Sequence, residues 1–124
     1  MTRLSKISAA LLLLFSTSFA LACDYPERPT IPNGATASKD ELLAAKDAIQ
    51  QFMAEVDVYL QCIESEEQSA VAELDNPSPE EIQRRDEMLN KKFDAANEEK
   101  ALLGEQFNQQ IRVYNAKVKE DSPD

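Results

Sequence analysis

The sequence predicts an all-α fold: a long antiparallel two-helix hairpin, similar to a coiled coil, that follows a proline-rich extended arm. Two long segments repeat apolar residues at alternating steps of three and four, the spacing of a helix packed lengthwise against another helix. Each segment opens with a helix-capping pattern, and a proline-containing break separates the two. The chain has 124 residues, which is enough for one domain of this kind.

Residues 1–22 have the composition of a cleavable export signal. Arg3 and Lys6 give a basic start, an apolar run broken only by serine and threonine follows, and small residues lead up to Ala22. The apolar run is shorter than the ~20 residues that a membrane-spanning helix needs. We therefore expect an exported protein, periplasmic in a bacterium with two membranes, whose mature chain begins at Cys23.

Residues 23–37 are predicted to form an extended arm. Three prolines in this stretch fix φ and lack a backbone donor, which excludes a helix or a central strand. The dipeptide Asn33-Gly34 marks a turn near the end of the arm. The arm is therefore expected to approach the hairpin as an extended, partly polyproline-like segment.

The first helix is predicted to begin after Ser38 and to end near Leu74. Ser38 can cap the helix, and Glu41 stands three residues later, which completes a capping box. Pro77 ends the helix because proline disfavours helical geometry at the residue before it.

The second helix has the most specific start signal in the chain. Ser78 is placed as the cap, Pro79 takes the first helical position, where its missing N–H costs nothing, and Glu81 closes a second capping box. The hairpin is predicted to span residues 38–119 and to be followed by a disordered acidic tail at residues 120–124.

The two apolar seams match each other in an antiparallel arrangement. Residues that face each other across such a hairpin have position numbers with a nearly constant sum, and pairs such as Ile49 with Leu103 meet this condition along the whole length. The residues predicted to form the hairpin core are Leu42, Ile49, Phe52, Val56, Tyr59, Ile63, Leu89, Phe93, Leu103, Phe107, Ile111 and Tyr114. A hairpin this long has a thin core, and a homodimer that forms a four-helix bundle would widen it.

The two cysteines of the mature chain, Cys23 and Cys62, admit two interpretations. In an exported chain, two cysteines favour one disulfide, and the arm, at roughly 3.1 Å per residue, is long enough to run back along the first helix to Cys62. The competing interpretation is a lipid anchor on Cys23, as in bacterial lipoproteins. Leu21 stands one position later than the leucine of the usual lipoprotein signal, whereas Ala20-Leu21-Ala22 fits the Ala-x-Ala pattern of ordinary signal cleavage. The disulfide is therefore the preferred prediction.

The composition argues against an enzyme. The chain has no histidine and 23 acidic against 13 basic residues, for a formal net charge of −10. It contains no glycine-rich phosphate loop, nucleophile elbow or cysteine–histidine metal spacing. An acidic surface repels nucleic acid and anionic lipid headgroups. We expect no catalytic residue, cofactor, metal or nucleic-acid partner, and membrane attachment only if Cys23 is lipidated.

The segments CDYPERPTIPNGATAS at 23–38 and YLQCIE at 59–64 resemble a group of small exported helical proteins of Gram-negative bacteria that have no known activity. The resemblance covers the arm and most of the first helix. It implies a periplasmic or outer-membrane-facing location and supplies no functional residues.

These features favour a non-enzymatic function, in which the hairpin has a structural or protein-interaction role as an adaptor, an assembly subunit or a holdase-like binder. The sequence does not identify the protein partner. The alternative is an outer-membrane lipoprotein, anchored through Cys23, whose hairpin acts as an envelope spacer.

Overall fold

The computed structural model describes residues 23–122. The predicted export signal at residues 1–22 and the last two positions of the predicted tail lie outside the described residues. Within the described part, the chain forms two helices and no strand: α1 spans Lys39–Ala72 and α2 spans Pro79–Asp121. The helices pack against each other, which confirms the predicted all-α hairpin.

The start of α1 has the predicted capping box. The Glu41 backbone N–H donates to Ser38 Oγ at 3.2 Å, and the Ser38 backbone N–H donates to the Glu41 carboxylate at 2.7 Å. The Ser38 hydroxyl also donates to the Glu41 carboxylate at 2.9 Å. The hydrogen bond from the Ser38 backbone and, to a smaller extent, the one from its hydroxyl lower the pKa of the Glu41 carboxyl. The helix ends at Ala72, two residues before the predicted end, and Asn76 adopts a left-handed φ of 50° in the turn that follows.

The start of α2 differs from the prediction in one contact. Ser78 Oγ accepts from the Glu81 backbone N–H at 3.1 Å, and Pro79 occupies the first turn. The Glu81 carboxylate, however, does not return to the Ser78 backbone and instead lies 3.8 Å from Arg85 Nε. A charged partner one turn ahead thus competes with the capping box and leaves it half formed.

The end of α2 corrects the predicted tail. The helix continues to Asp121, so residues 120–121 are helical rather than part of a disordered segment. Pro123 disfavours helical geometry at Ser122, which accounts for an end at this position rather than at 119.

The core lies mainly along α1. The buried residues of the helices are Leu42, Ala45, Ile49, Phe52, Val56, Leu60 and Ile63 of α1 and Ala96 and Leu103 of α2. Of the predicted core residues, the half-buried ones are Tyr59, Leu89, Phe93, Phe107, Ile111 and Tyr114. Thus α2 contributes mostly half-buried side chains, whereas α1 lies at the centre of the packing.

Neither described helix has a stretch apolar and long enough to cross a membrane. Both instead alternate apolar and charged faces, so each buries one stripe and leaves the other in water.

Candidate functional site: an interhelical groove

The arm lies in a groove between the two helices. It begins beside Cys62, about two thirds of the way along α1, and returns to the helix start at Ser38, so it runs antiparallel to α1 and parallel to α2. Because the arm contacts both helices, it forms a third layer that covers one side of the seam. Ile31, near the middle of the arm, packs against the hydrophobic core.

A disulfide between Cys23 and Cys62 fixes the start of the arm. The two Cα atoms are 5.7 Å apart, and the bond joins residues that are 39 positions apart in sequence. Both cysteines are half-buried. The preferred sequence prediction therefore matches the pairing in the structure. Since Cys23 Sγ is bonded to Cys62, that sulfur is not free to carry a lipid in this state.

Tyr25 is the main aromatic contact between the arm and the hairpin. Its ring meets Tyr59 edge-on at a centroid distance of 5.0 Å and Phe52 edge-on at 6.1 Å. Such edge contacts add to the energy of apolar burial. Burial, with smaller contributions from Glu99 and Tyr59, raises the pKa of the Tyr25 hydroxyl.

The middle of the arm is held to α2 by polar contacts. Arg28 Nε lies 2.6 Å from the Glu99 carboxylate, and a second guanidinium nitrogen donates to the side chain of Gln106. A forked guanidinium that contacts two residues about two turns apart on one helix fixes the arm in register with that helix.

The end of the arm approaches the α2 backbone closely at Gly34. The Gly34 N–H donates to the Gln110 side-chain oxygen at 2.9 Å, and a Cβ added at Gly34 would lie 2.0 Å from the Gln110 carbonyl oxygen and 3.0 Å from Tyr114 N. Only glycine fits this contact without displacement of the backbone. The Asn33 carbonyl oxygen closes the adjoining turn by accepting hydrogen bonds from the backbone N–H groups of Thr36 and Ala37.

Beyond the disulfide, the same groove continues without the arm. A cavity of about 450 Å³ lies there, and its apolar lining consists of Ile63, Ala70, Met88 and Leu89. It adjoins the arm, because Lys92 borders both this cavity and the one beside Tyr25. Met88 is 56 % exposed. We call this cavity the tip groove.

The rim of the tip groove carries both signs of charge. Arg85 spans the helices by contacting Glu67 at 3.0 Å and Glu81 at 3.8 Å, while Arg84 and Glu66 also line the cavity. Polar groups of both signs around an apolar floor suit the backbone and mixed side chains of a peptide.

The side of the hairpin opposite the arm has a second set of contacts. Lys100 Nζ reaches the Asp57 carboxylate at 2.6 Å, so this lysine, which lies between the buried Ala96 and Leu103 along α2, is paired across the helices. Nearby, the Met53 methyl group lies 3.7 Å from the position that a Cβ would take on Gly104.

The cysteines also bear on metal binding. The two sulfur atoms and a carboxylate oxygen of Glu66 lie within 4.8 Å of one another. In the disulfide, however, neither sulfur is the thiolate that binds a metal tightly. The geometry therefore indicates a structural role for the two cysteines, whose disulfide attaches the arm to α1.

Sequence reasoning identified the disulfide and the helical seams but missed the contacts between the arm and α2. Arg28 and Gly34 lie outside both helices and so follow no helical period, and their partners on α2 are more than 70 positions away. The tip groove was missed for a different reason: Met88 and Ala70 line a groove only once the arm, residues 23–37, is placed between Cys62 and Ser38.

Comparison of the chain with protein-family models, with curated proteins and with solved structures finds no match. The function therefore has to be inferred from the geometry of the groove itself.

Proposed function

We propose that this is an exported, non-enzymatic helical protein that binds other proteins through its hairpin, in an adaptor, assembly or holdase-like role. The tip groove is the proposed binding site. The observation on which the proposal rests is that the chain's own arm occupies the adjoining part of the same groove as an extended segment.

The arm indicates what kind of ligand the tip groove accepts. An extended segment with an aromatic ring at one end and an aliphatic side chain further along packs on the seam, and an arginine pairs with a rim carboxylate. The tip groove offers the same kinds of partner, with an apolar floor and carboxylate and guanidinium groups on its rim. An extended peptide with alternating apolar and charged residues is the expected ligand.

The disulfide supports the location outside the cytoplasm. Disulfides persist in oxidising compartments, and this one holds the arm in place so that the arm does not extend into the tip groove.

Site-specific photo-crosslinking in the producing cell tests the binding site. A photoreactive residue at Met88, on the groove, is expected to capture extended segments of other envelope proteins, whereas the same probe at the neighbouring exposed Glu87 gives few products. Equal capture at both positions, or none at Met88 together with no effect of the purified protein on the aggregation of unfolded clients, would remove the proposal.

The alternative, a lipoprotein spacer anchored through Cys23, is separated by the intact mass of the purified exported chain. The disulfide form weighs two hydrogens less than the reduced polypeptide from 23 to 124. A gain of several hundred daltons would instead show acyl groups on Cys23 and would favour the spacer.

A further inference from the structure

A second surface lies along α1 on the side away from the arm. In its first half this surface contains Lys39, Leu43, Lys46 and Gln50, which follow one another at steps of four and three and so share one side of the helix. Leu43 is 49 % exposed, although it is a large aliphatic side chain.

The second half of this surface continues the same spacing. It contains Met53, Asp57, Leu60 and Glu64. Leu60 is buried at the edge of the core, Met53 is half-buried beside Gly104, and Asp57 keeps 58 % of its side chain exposed even though it pairs with Lys100. We call these eight residues the α1 flank.

The charges of the α1 flank are divided by sign along its length. The lysines lie in the half nearest the helix start, and the carboxylates lie in the other half. The spacing is also symmetrical about a point between Gln50 and Met53. A second copy turned end for end therefore places opposite charges together, whereas a parallel copy would place lysine on lysine and carboxylate on carboxylate.

We propose that two copies of this chain associate antiparallel through the α1 flank. The paired residues have position numbers with one constant sum, as expected for antiparallel helices in register. The pairs formed with the partner subunit are Lys39 with Glu64 of the partner subunit, Leu43 with Leu60 of the partner subunit, Lys46 with Asp57 of the partner subunit, and Gln50 with Met53 of the partner subunit. Two-fold symmetry repeats every pair.

The neighbouring side of α2 leaves room for the second copy. Gly104, near the centre of the flank, has no side chain, and a Cβ there would meet only the Met53 methyl group. Toward the helix start, Leu43, Phe107 and Ile111 line an open apolar cavity of about 310 Å³. With both helices included, the face is about 38 Å long and about 20 Å wide, on the order of the 800 Å² per partner that stable complexes bury.

This inference goes beyond the proposed function, because the α1 flank and the tip groove lie on different sides of the hairpin. Sedimentation of the disulfide-bonded exported chain over a range of concentrations is the basic test. A dimer is expected, and a monomer at all concentrations up to about 1 mM overturns the proposal. That result would leave the Met88 crosslinking test of the tip groove intact.

A matched pair of variants locates the interface. Leu43→Asp is expected to weaken the dimer at least about 100-fold, because the contact occurs twice and each is worth roughly tenfold. Val58→Asp, which changes an exposed aliphatic residue of α1 outside the flank, should leave the dimer unchanged. Equal effects of the two substitutions would contradict the assigned face, and circular dichroism checks that both variants fold.

Charge exchange tests the antiparallel register. Lys46→Glu alone is expected to weaken the dimer at least about tenfold, since two attractive pairs become repulsive. The double variant Asp57→Lys/Lys100→Glu keeps the pair within the hairpin with reversed signs and should weaken the dimer to a similar extent. A one-to-one mixture of these two variants restores opposite charges at both sites and should form a heterodimer. If both variants stay monomeric when mixed, the register is wrong.

Discussion

The hairpin has two regions that differ in how well they are packed. The arm-covered half, residues 23–63 and 93–114, contains every buried residue of the described chain, whereas the tip, residues 64–92, contains none. Both regions consist of the same two helices, but the apolar spacing of the seam is interrupted at the tip, where Glu67 and Arg85 form an ion pair across the helices. The covered half therefore combines a more apolar seam with a third layer, the arm, and we expect the arm to complete the hydrophobic core there.

The physical reason is the shape of a helix pair. Two helices in contact bury a narrow line of side chains and leave a groove on either side of it. In the covered half, Tyr25 and Ile31 fill one of these grooves. At the tip the groove stays open as the tip groove, and Leu89, on the predicted seam, is only half-buried.

The largest contrast is expected between truncations of a buried side chain in the covered half and a half-buried one at the tip. Phe52→Ala, in the covered half, removes a side chain that is 2 % exposed and should lower the free energy of unfolding by about 4 kcal/mol. Leu89→Ala, at the tip, should cost roughly 1–2 kcal/mol because its site is already open to water. Urea denaturation measures both, and equal losses would mean that the arm adds no core.

Removal of the disulfide is expected to have the next largest effect. Cys62→Ser should lower the free energy of unfolding by about 4 kcal/mol, since the bond closes a loop of 39 positions. Cys23→Ser and the double serine variant should lose the same amount, as one bond is lost in each case. Unequal losses among the three variants would indicate a separate role for one of the sulfurs.

Gly34→Ala probes the close approach of the arm to α2. The added methyl group would overlap the Gln110 carbonyl oxygen, so the arm must shift away, at a cost of about 2 kcal/mol. Gly104→Ala is the matched control, because its methyl group would make only ordinary contact with Met53 and would favour the helix. Both substitutions are compared in the Leu43→Asp background, so that the proposed dimer does not contribute. Thermal unfolding should show a lower melting temperature for Gly34→Ala and a slightly higher one for Gly104→Ala.

A smaller effect is expected at the ion pair between the arm and α2. Arg28→Gln should cost roughly 0.5–1 kcal/mol, since the pair is partly exposed but is reinforced by Gln106. Arg112→Gln breaks a pair within α2 that is mostly exposed and should change stability little. Comparable losses in the free energy of unfolding for the two variants would mean that Arg28 does not help to fix the position of the arm along α2.

The smallest effect concerns pH. The pKa of Tyr25 is raised in the folded state, mainly by burial, so its neutral form stabilises the covered half below the ordinary value of 10.0, and this stabilisation is lost as the pH rises above it. Tyr25→Phe should therefore flatten the fall in stability above pH 10 without changing the stability of the tip. A fall of unchanged steepness in Tyr25→Phe would assign the effect to other groups.

The sequence was sufficient for features that depend on local chemistry. Ser38 with Glu41 and Ser78 with Pro79 placed the helix starts to the residue, and the two seams fixed the antiparallel pairing. The predicted helix ends differ from the structure by two residues, because helix ends fray and because proline disfavours helical geometry at the residue before it, here Ser122.

The candidate site could not be predicted from the apolar periodicity of the sequence. The position of the arm depends on long-range contacts such as Arg28 with Glu99, and an extended segment has no helical spacing to reveal its partners. The Glu81 side chain was also mispredicted, although its partner is close in sequence. Its carboxylate pairs with Arg85 instead of accepting a hydrogen bond at the start of α2.

Amide hydrogen exchange, compared between the oxidised and the reduced protein, tests most directly whether the fastened arm creates the core. With the disulfide intact, backbone amides of α1 between Ile49 and Leu60 should be protected far more strongly than those of the tip. Reduction should remove most of that difference by lowering protection in the covered half alone. Equal protection of the two regions in the oxidised protein, or an equal loss in both on reduction, would contradict the account.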